Sequence, residues 1–217
     1  DTDRSRGLGD VYKRQIHSLG TYMLPVLLSE FKVQNPSTRF NLQQNDSTLL
    51  AQGLIDGTSD LCLGSTMITM KHIAWSYLYS EEIYITVPLH HRLADWEQAT
   101  LKDIENEPFI TMKPSYSLRI LTNRVCALAN VHPKIIFEGD DTNTIASLVA
   151  SNLGVSLLPK IPGSDAIGIR QIHVSFPSCK REIGIAWNMT RPLSPAALRF
   201  HQFIVKRFAD KRSSTVR

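Results

Sequence analysis

The chain has 217 residues, 42% of them hydrophobic and 20% charged, ordinary values for a folded globular protein and unlike those of a disordered chain. The net charge of +4 at pH 7 sits at the ends, because residues 16–205 sum to −1. That body lacks the basic stripe that phosphate neutralisation needs, so it is not expected to bind nucleic acid directly. No stretch approaches the ~18 uninterrupted apolar residues of a spanning helix, and no basic-then-apolar leader is visible. Cys62, Cys126 and Cys179 are far apart and form no CxxC pair. They read as buried small hydrophobes rather than a disulfide framework or a zinc site.

Residues 1–15 show no apolar periodicity. Within them DVYKRQ, from Asp10 to Gln15, reads as a translated transposase recognition sequence of the kind used in library adapters. Residues 1–15 are therefore expected to be non-native or disordered, with native sequence starting near Ile16. From Thr21 the segment TYMLPVLLSEFKVQNP places Leu24, Leu27, Leu28 and Phe31 at helical spacing. Pro25 is expected in the first turn of this helix, and Asn35-Pro36 ends it. RFNLQ then alternates like a strand. DSTLLAQGLIDG predicts a short helix capped by Asp46 or Ser47 and closed by Gly57, and SDLCLGS predicts a short apolar strand.

From Ile73 to Pro88 the pattern is strand-rich, and LKDIENEPFITM gives a short helix followed by a strand at Phe109–Met112. Ser115 or Ser117 is the expected cap of SLRILTNRVCALANV, with an apolar stripe of Leu118, Leu121, Val125 and Leu128. Lys134–Glu138 reads as a strand, DDTNTIASLVASNLG as a helix with Gly154 at its end, and VSLLP as a buried strand. Strands at Ile169–Ser175 and Glu182–Asn188 follow. Ser194-Pro195 opens a long amphipathic helix to about Lys211, whose Phe200, Phe203, Ile204 and Phe208 face a core. Alternation of helices and strands without internal repeats points to an α/β fold.

Strand ends run into polar helix starts at Ser18–Thr21, Met112–Ser117 and Gly139–Asn143. Helix N-termini in such folds face the ligand crevice and favour anions, so the arrangement suggests binding more than catalysis. Chemistry-bearing patterns are few. His90-His91 reads as a turn, since adjacent strand residues point to opposite faces. There is no HExxH, GxSxG, GxGxxG or GxxxxGK[ST] motif. Glu81-Glu82 is expected to be solvated, and Trp75, Trp96 and Trp187 read as packing residues.

Five segments in order carry a resemblance: LGTYMLPVLLSEFKVQNPSTRFNL, LIDGTSDLCLG, EEIYITVPLHHRLA, NEPFI and LVASNLGVSLLP. Together they resemble the effector-binding domain of LysR-type transcriptional regulators over about Ile16–Lys211. Departures are Cys62 and Leu63 in the "Asp-Leu-Ala-Ile" strand, Arg92 for a Pro, and Asn152 for a Gly. The resemblance implies a type 2 periplasmic-binding-protein-like fold: two α/β subdomains joined by two crossover strands, with a ligand cleft between them. Subdomain I would be 16–87 plus 188–212, subdomain II 88–187, and 213–217 a tail. Only Ile16-His17-Ser18 would remain of the family's first strand. The family's winged helix-turn-helix is not visible in this sequence, so DNA would be reached only through such a domain elsewhere.

Carried over by segment, the resemblance implies a site of Ser18, Leu19, Gly20, Thr21, Gly64, Ser65 and Thr66 from subdomain I. Thr111, Lys113, Ser115, Asp141 and Thr142 come from subdomain II, with Pro159 beside the crossover. Hydroxyls and helix starts suit a small carboxylate. Lys113 would add a point charge, and Asp140 or Asp141 could receive an ammonium group, which together fit a zwitterion. A helix cap is the simpler role for Asp140-Asp141-Thr142. The implied protein is a cytoplasmic, non-enzymatic sensor without cofactor or metal, forming homodimers or homotetramers. The alternative is an extracytoplasmic solute-binding protein of the same fold.

Overall fold

The computed structural model describes residues 10–15, 17–44, 47–65 and 71–214. Its first elements are β1 (Asp10–Gln15), α1 (His17–Gln34), β2 (Arg39–Gln44), α2 (Ser47–Asp56), β3 (Leu61–Ser65) and the long β4 (Ile73–Pro88). Then come β5 (Gln98–Thr100), a 3-10 turn at Leu101–Ile104, β6 (Pro108–Met112), α3 (Ser117–Leu128), β7 (Lys134–Gly139) and α4 (Thr142–Ala150). The chain closes with β8 (Ser156–Pro159), β9 (Ile169–Phe176), β10 (Lys180–Asn188) and α5 (Pro195–Ser214).

Two compact units result, Asp1–Tyr79 with Glu182–Arg217, and Ser80–Arg181. The chain passes between them within β4 and within β10. The divisions therefore fall earlier than the expected 87/88 and 187/188, because the second half of β4 pairs with strands of the second unit.

In the first unit the strand order is β2-β1-β3-β10-β4. β1 lies between β2 and β3, parallel to both, in the registers Asp10↔Arg39 to Gln15↔Gln44 and Lys13↔Leu61 to Gln15↔Leu63. Its Val11 is fully buried. The expectation that residues 1–15 stand outside the fold is thus corrected for Asp10–Gln15. The slot between β2 and β3 presents unpaired backbone groups on both sides, and an extended segment satisfies them whatever its side-chain pattern.

Helix α1 begins at His17 rather than Thr21, which puts Pro25 inside the helix. The exposed ring there removes one i→i−4 hydrogen bond. Gly57 follows α2 with φ +72°, as a left-handed C′ residue does. The core is aromatic: Phe200 of α5 has ring centroids of Phe31 and Phe40 at 5.0 Å each. The Ala197 N–H donates to Ser194 Oγ at 3.2 Å, the cap expected for α5. Trp187 packs edge-on to His201 at 4.4 Å, and His201 Nε2 is buried without a hydrogen-bond partner.

In the second unit β4 pairs antiparallel with β8 and β9, β5 runs parallel to β9, and β6 runs parallel to β7. The Ile110 N–H donates to the Val155 carbonyl at 2.8 Å, and the Val155 N–H to that of Pro108 at 2.9 Å. These bonds tie β6 to the start of β8. Leu118, Val125 and Cys126 of α3 and Ile145 and Val149 of α4 enter the core. Leu128 does not, being 60% exposed; α3 turns Cys126 inward instead. Tyr116, and neither expected serine, holds the N-cap of α3, with no side-chain cap bond. All three cysteines are buried, and burial pushes the Cys126 and Cys179 thiols up to about 11 and about 12.

Glu81 is not a solvated carboxylate. Its Oε2 accepts from Nε and Nη2 of Arg181 at 2.5 Å each, and the Arg181 side chain is 2% exposed. Glu82 instead meets Lys180 at 3.0 Å on the surface. Removing one partner of a buried pair leaves an uncompensated charge, whereas a surface pair contributes little. Glu81→Gln is expected to lower the unfolding free energy by about 3 kcal/mol, and Glu82→Gln by less than about 1 kcal/mol, both read by urea denaturation.

Burial holds His201 below its ordinary value, so the folded state binds this proton less readily than the unfolded chain. Stability from the neutral ring is then complete above the unfolded value of about 6.5 and is lost as pH falls below it. Wild type is expected to lose stability as pH falls below about 6.5 more steeply than His201→Phe, followed by tryptophan emission during unfolding.

Candidate functional site

Ligands of open α/β sheets bind at the carboxyl ends of parallel strands. In the first unit, the register Gln15↔Leu63 carries Gly64 and Ser65 past the end of β1, beside the start of α1. Ser18, Leu19, Gly20 and Thr21 lie within the first turns of α1 rather than ahead of it, and the first N–H groups of a helix have no partner within it. Their side chains, and Thr66 altogether, fall outside the described residues. Ser65 is buried. Among the described residues, a Cβ placed on Gly64 would meet only Cys62 Sγ, at 3.9 Å.

In the second unit β6 and β7 end together, in the registers Thr111↔Glu138 and Met112↔Gly139. Thr111 is buried there. The Lys113 N–H donates to the Gly139 carbonyl at 2.9 Å, which brings Lys113 against the start of α4. Its Nζ donates to Asp140 Oδ2 at 2.6 Å, and the Tyr116 hydroxyl donates to Asp140 Oδ1 at 3.3 Å. Both members of the Lys113–Asp140 pair are about half exposed. Lys113 is therefore not a lone point charge but half of a solvent-facing ion pair.

Asp141 has the simpler of its two expected roles. It is the N-cap of α4, and its Oδ2 accepts from the Thr144 N–H at 2.9 Å and the Thr144 hydroxyl at 3.2 Å. Thr142 is buried as the first residue of α4. Ser115 is exposed in the turn closed by Tyr116 N–H donating to the Lys113 carbonyl at 3.1 Å.

Pro159 is buried at the end of β8, opposite Ile83. Its carbonyl accepts from Gln171 Nε2 at 2.9 Å, while Gln171 Oε1 accepts from the Ile161 N–H at 2.8 Å. Gln171 thus sets the position of Pro159. Arg119 does the same for the end of β6, donating to the Met112 carbonyl at 2.9 Å and pairing with Glu138 at 2.5 Å. Neither residue belongs to a sequence pattern that points to a site. Each reaches backbone on another element, and no local pattern marks that.

Thr111, Lys113, Asp140 and the start of α4 are therefore brought together, with Pro159 at the same end of its own strand. The set offers a hydroxyl, backbone N–H groups and a charge pair, and no nucleophile with a positioned base. Among the described residues no group of His, Cys, Asp or Glu could hold a metal ion, and no helix is long and apolar enough to cross a membrane.

Comparison with known proteins agrees with this architecture. The family model described as the LysR substrate binding domain matches residues 15–209. The chain is similar to YybE, an HTH-type transcriptional regulator of Bacillus subtilis (strain 168), at 41% identity over 90% of this chain and 67% of that protein. It is also similar to the transcriptional dual regulator GltC of the same organism, at 31% identity over 88% of this chain and 65% of GltC. The chain thus spans about two thirds of the length of these relatives. Among solved structures, the effector binding domain of QuiR in complex with shikimate superposes with a TM-score of 0.88 at 22% identity, over 93% of this chain and 98% of that one. The fold is the type 2 periplasmic-binding-protein-like fold of these domains.

The cap and the ion pair separate by stability. Asp141→Ala is expected to lower the unfolding free energy by about 1 kcal/mol. Lys113→Met should change it by less than about 0.5 kcal/mol, both read from denaturant midpoints at unchanged slope.

Proposed function

The chain belongs to the LysR substrate-binding-domain family, the effector-binding part of LysR-type transcriptional regulators, and on that premise we propose that it senses a small anionic or zwitterionic metabolite. The ligand is held by hydroxyls and helix starts at the carboxyl ends of the strands. The observation that carries this reading is the Lys113–Asp140 pair at 2.6 Å beside the start of α4. A carboxylate can take over Lys113 and the α4 N–H groups, and an ammonium group can take over Asp140. The domain binds without turnover. Its differential affinity for two conformations shifts their populations, and a helix-turn-helix of the full-length protein reads the shift out on DNA in the cytoplasm. Its regulator relatives favour this over an extracytoplasmic solute-binding protein.

Members of this family also oligomerise, and the finer assignment here is a homodimer, with a homotetramer as its further association. β7 is an edge strand with three consecutive exposed apolar residues, Ile135, Ile136 and Phe137. The first unit carries its own exposed pair, Val33 on α1 and Leu42 on β2. An uncovered apolar edge invites pairing. A two-fold axis that sets the β7 face of one copy on the α1/β2 face of another covers both faces twice.

A thermal-shift series with small carboxylates and amino acids tests the sensor. A ligand of the folded state raises the midpoint in a concentration-dependent way, and Thr111→Val should abolish the rise. Asp140→Asn should tighten a simple anion, by freeing Lys113, and weaken a zwitterion. A ligand indifferent to both variants contradicts the assignment. For the dimer, sedimentation velocity should show Ile136→Lys and Val33→Lys each converting it to monomer at unchanged melting cooperativity. A dimer that survives both substitutions contradicts the proposed faces.

A further inference from the structure

The second unit, Ser80–Arg181, is described throughout. The turn between β6 and α3 holds two hydrogen-bond donors of that unit close together. The Tyr116 N–H donates to the Lys113 carbonyl at 3.1 Å, so both side chains leave one tight turn. The Tyr116 ring packs against the core of the unit, which fixes where its hydroxyl stands. Lys113 Nζ donates to Asp140 Oδ2 at 2.6 Å, and the Tyr116 hydroxyl donates to Asp140 Oδ1 at 3.3 Å. The two donors thus take the two oxygens of a single carboxylate, one each.

That carboxylate comes from another part of the chain. Asp140 lies in the connection from β7 to α4, and the Lys113 N–H bond to the Gly139 carbonyl at 2.9 Å brings the connection beside the turn. Asp140 is not needed as the cap of α4, because Asp141 fills that role. An ion pair with both members about half exposed contributes little to stability. What the pair displays is a carboxylate held at two points, at a place that solvent reaches.

We infer that Lys113 and Tyr116 form a clamp for one carboxylate group, that Tyr116 is a specificity-determining residue of the effector site, and that Asp140 is the clamp's resident occupant, which a carboxylate effector displaces. This rests on the sensor reading given above and adds to it the group recognised and the internal contact that competes with it. Lys113 alone would attract any anion as a point charge. The tyrosine hydroxyl adds direction, because a second oxygen must lie in line with it. One lysine balances one negative charge. A phosphate dianion would bring a second charge towards Asp141 and Glu138, which stand within two positions of Asp140 along the chain. A single carboxylate therefore suits the clamp better. Once displaced, Asp140 is available to an ammonium group of the same ligand, so one exchange serves both the anionic and the zwitterionic case.

The test uses the full chain and empties the clamp with Asp140→Ala. Acetate, which is the aspartate side-chain group as a free acid, is then titrated in. Two signals are read, the thermal midpoint and the amide chemical shifts of Lys113 and Tyr116. Acetate is expected to raise the midpoint and move both amides of Asp140→Ala, with half-saturation about tenfold or more below that of wild type. Adding Tyr116→Phe to Asp140→Ala keeps the ring on the core and should weaken acetate by about tenfold. Acetamide, of the same shape without the charge, should not bind, and inorganic phosphate should bind more weakly than acetate. Asp140→Ser takes the place of Asp140→Ala if the latter does not melt cooperatively. Acetate binding equally to wild type and Asp140→Ala overturns the role of Asp140. Equal binding with and without the Tyr116 hydroxyl overturns the role of Tyr116. Acetamide or phosphate matching acetate overturns the choice of a carboxylate, and no acetate binding to the emptied site overturns the clamp as a whole. Each of these leaves the sensor to be decided by the wild-type thermal-shift series and Thr111→Val. A wild type that answers to none of that series, while acetate fills Asp140→Ala, contradicts the sensor and leaves the clamp standing.

Discussion

Arg181 carries a guanidinium into a place where its side chain is 2% exposed, and Glu81 is the carboxylate that makes this tolerable. The two residues sit on β10 and β4, the strands through which the chain passes from one unit to the other. A buried charge without its partner is expensive, so the pair discriminates against any register of these strands that separates it. Each core is assembled from its own residues. One is the Phe31–Phe200 aromatic cluster, and the other is the aliphatic set around Ile85, Ile110 and Val149. β4 enters both, with Leu78 in the first and Ile83, Ile85 and Val87 in the second, and β10 adds Ile185 to the first.

Polar groups near the strand ends of the second unit are bound either to backbone or to each other on the solvent-facing surface. Asp141 is committed to the amino end of α4, and Arg119 and Gln171 to strand-end carbonyls. Lys113 and Asp140 are half exposed, and such a pair contributes little to stability. Exchanging it for contacts to a charged metabolite therefore costs the fold little. A sensor needs such exchangeable contacts, because a ligand shifts an equilibrium only by its differential affinity for the two states.

Much of this architecture is legible along the chain because it rests on local pattern. IAWSYLYSEEIYITVP is one continuous strand, Ser194 caps α5, Gly57 closes α2, and the ordered LysR-like segments give the family. What escapes the sequence is set by distant partners. DVYKRQ has little strand character of its own, yet β1 takes the slot that β2 and β3 leave between them. Glu81 looks like a surface carboxylate until Arg181, a hundred positions away, is brought beside it. Leu128 continues a helical stripe, but the last turn of α3 presents Val125 and Cys126 to the core and leaves Leu128 exposed. In the site, Lys113 was legible as a cation at a strand end. Its pairing with Asp140 was not, because it depends on β6 and β7 ending in register.

The central claim is that a small carboxylate or zwitterion binds at the carboxyl ends of the strands. Backbone amide chemical-shift mapping during titration with the ligand that most raises the melting midpoint tests it most directly. The account predicts that the amides of Thr111, Lys113, Thr142 and Asn143 move together and saturate at one ligand concentration. Shifts confined to the β7 face or to the far ends of the strands, with these amides unmoved, would contradict it.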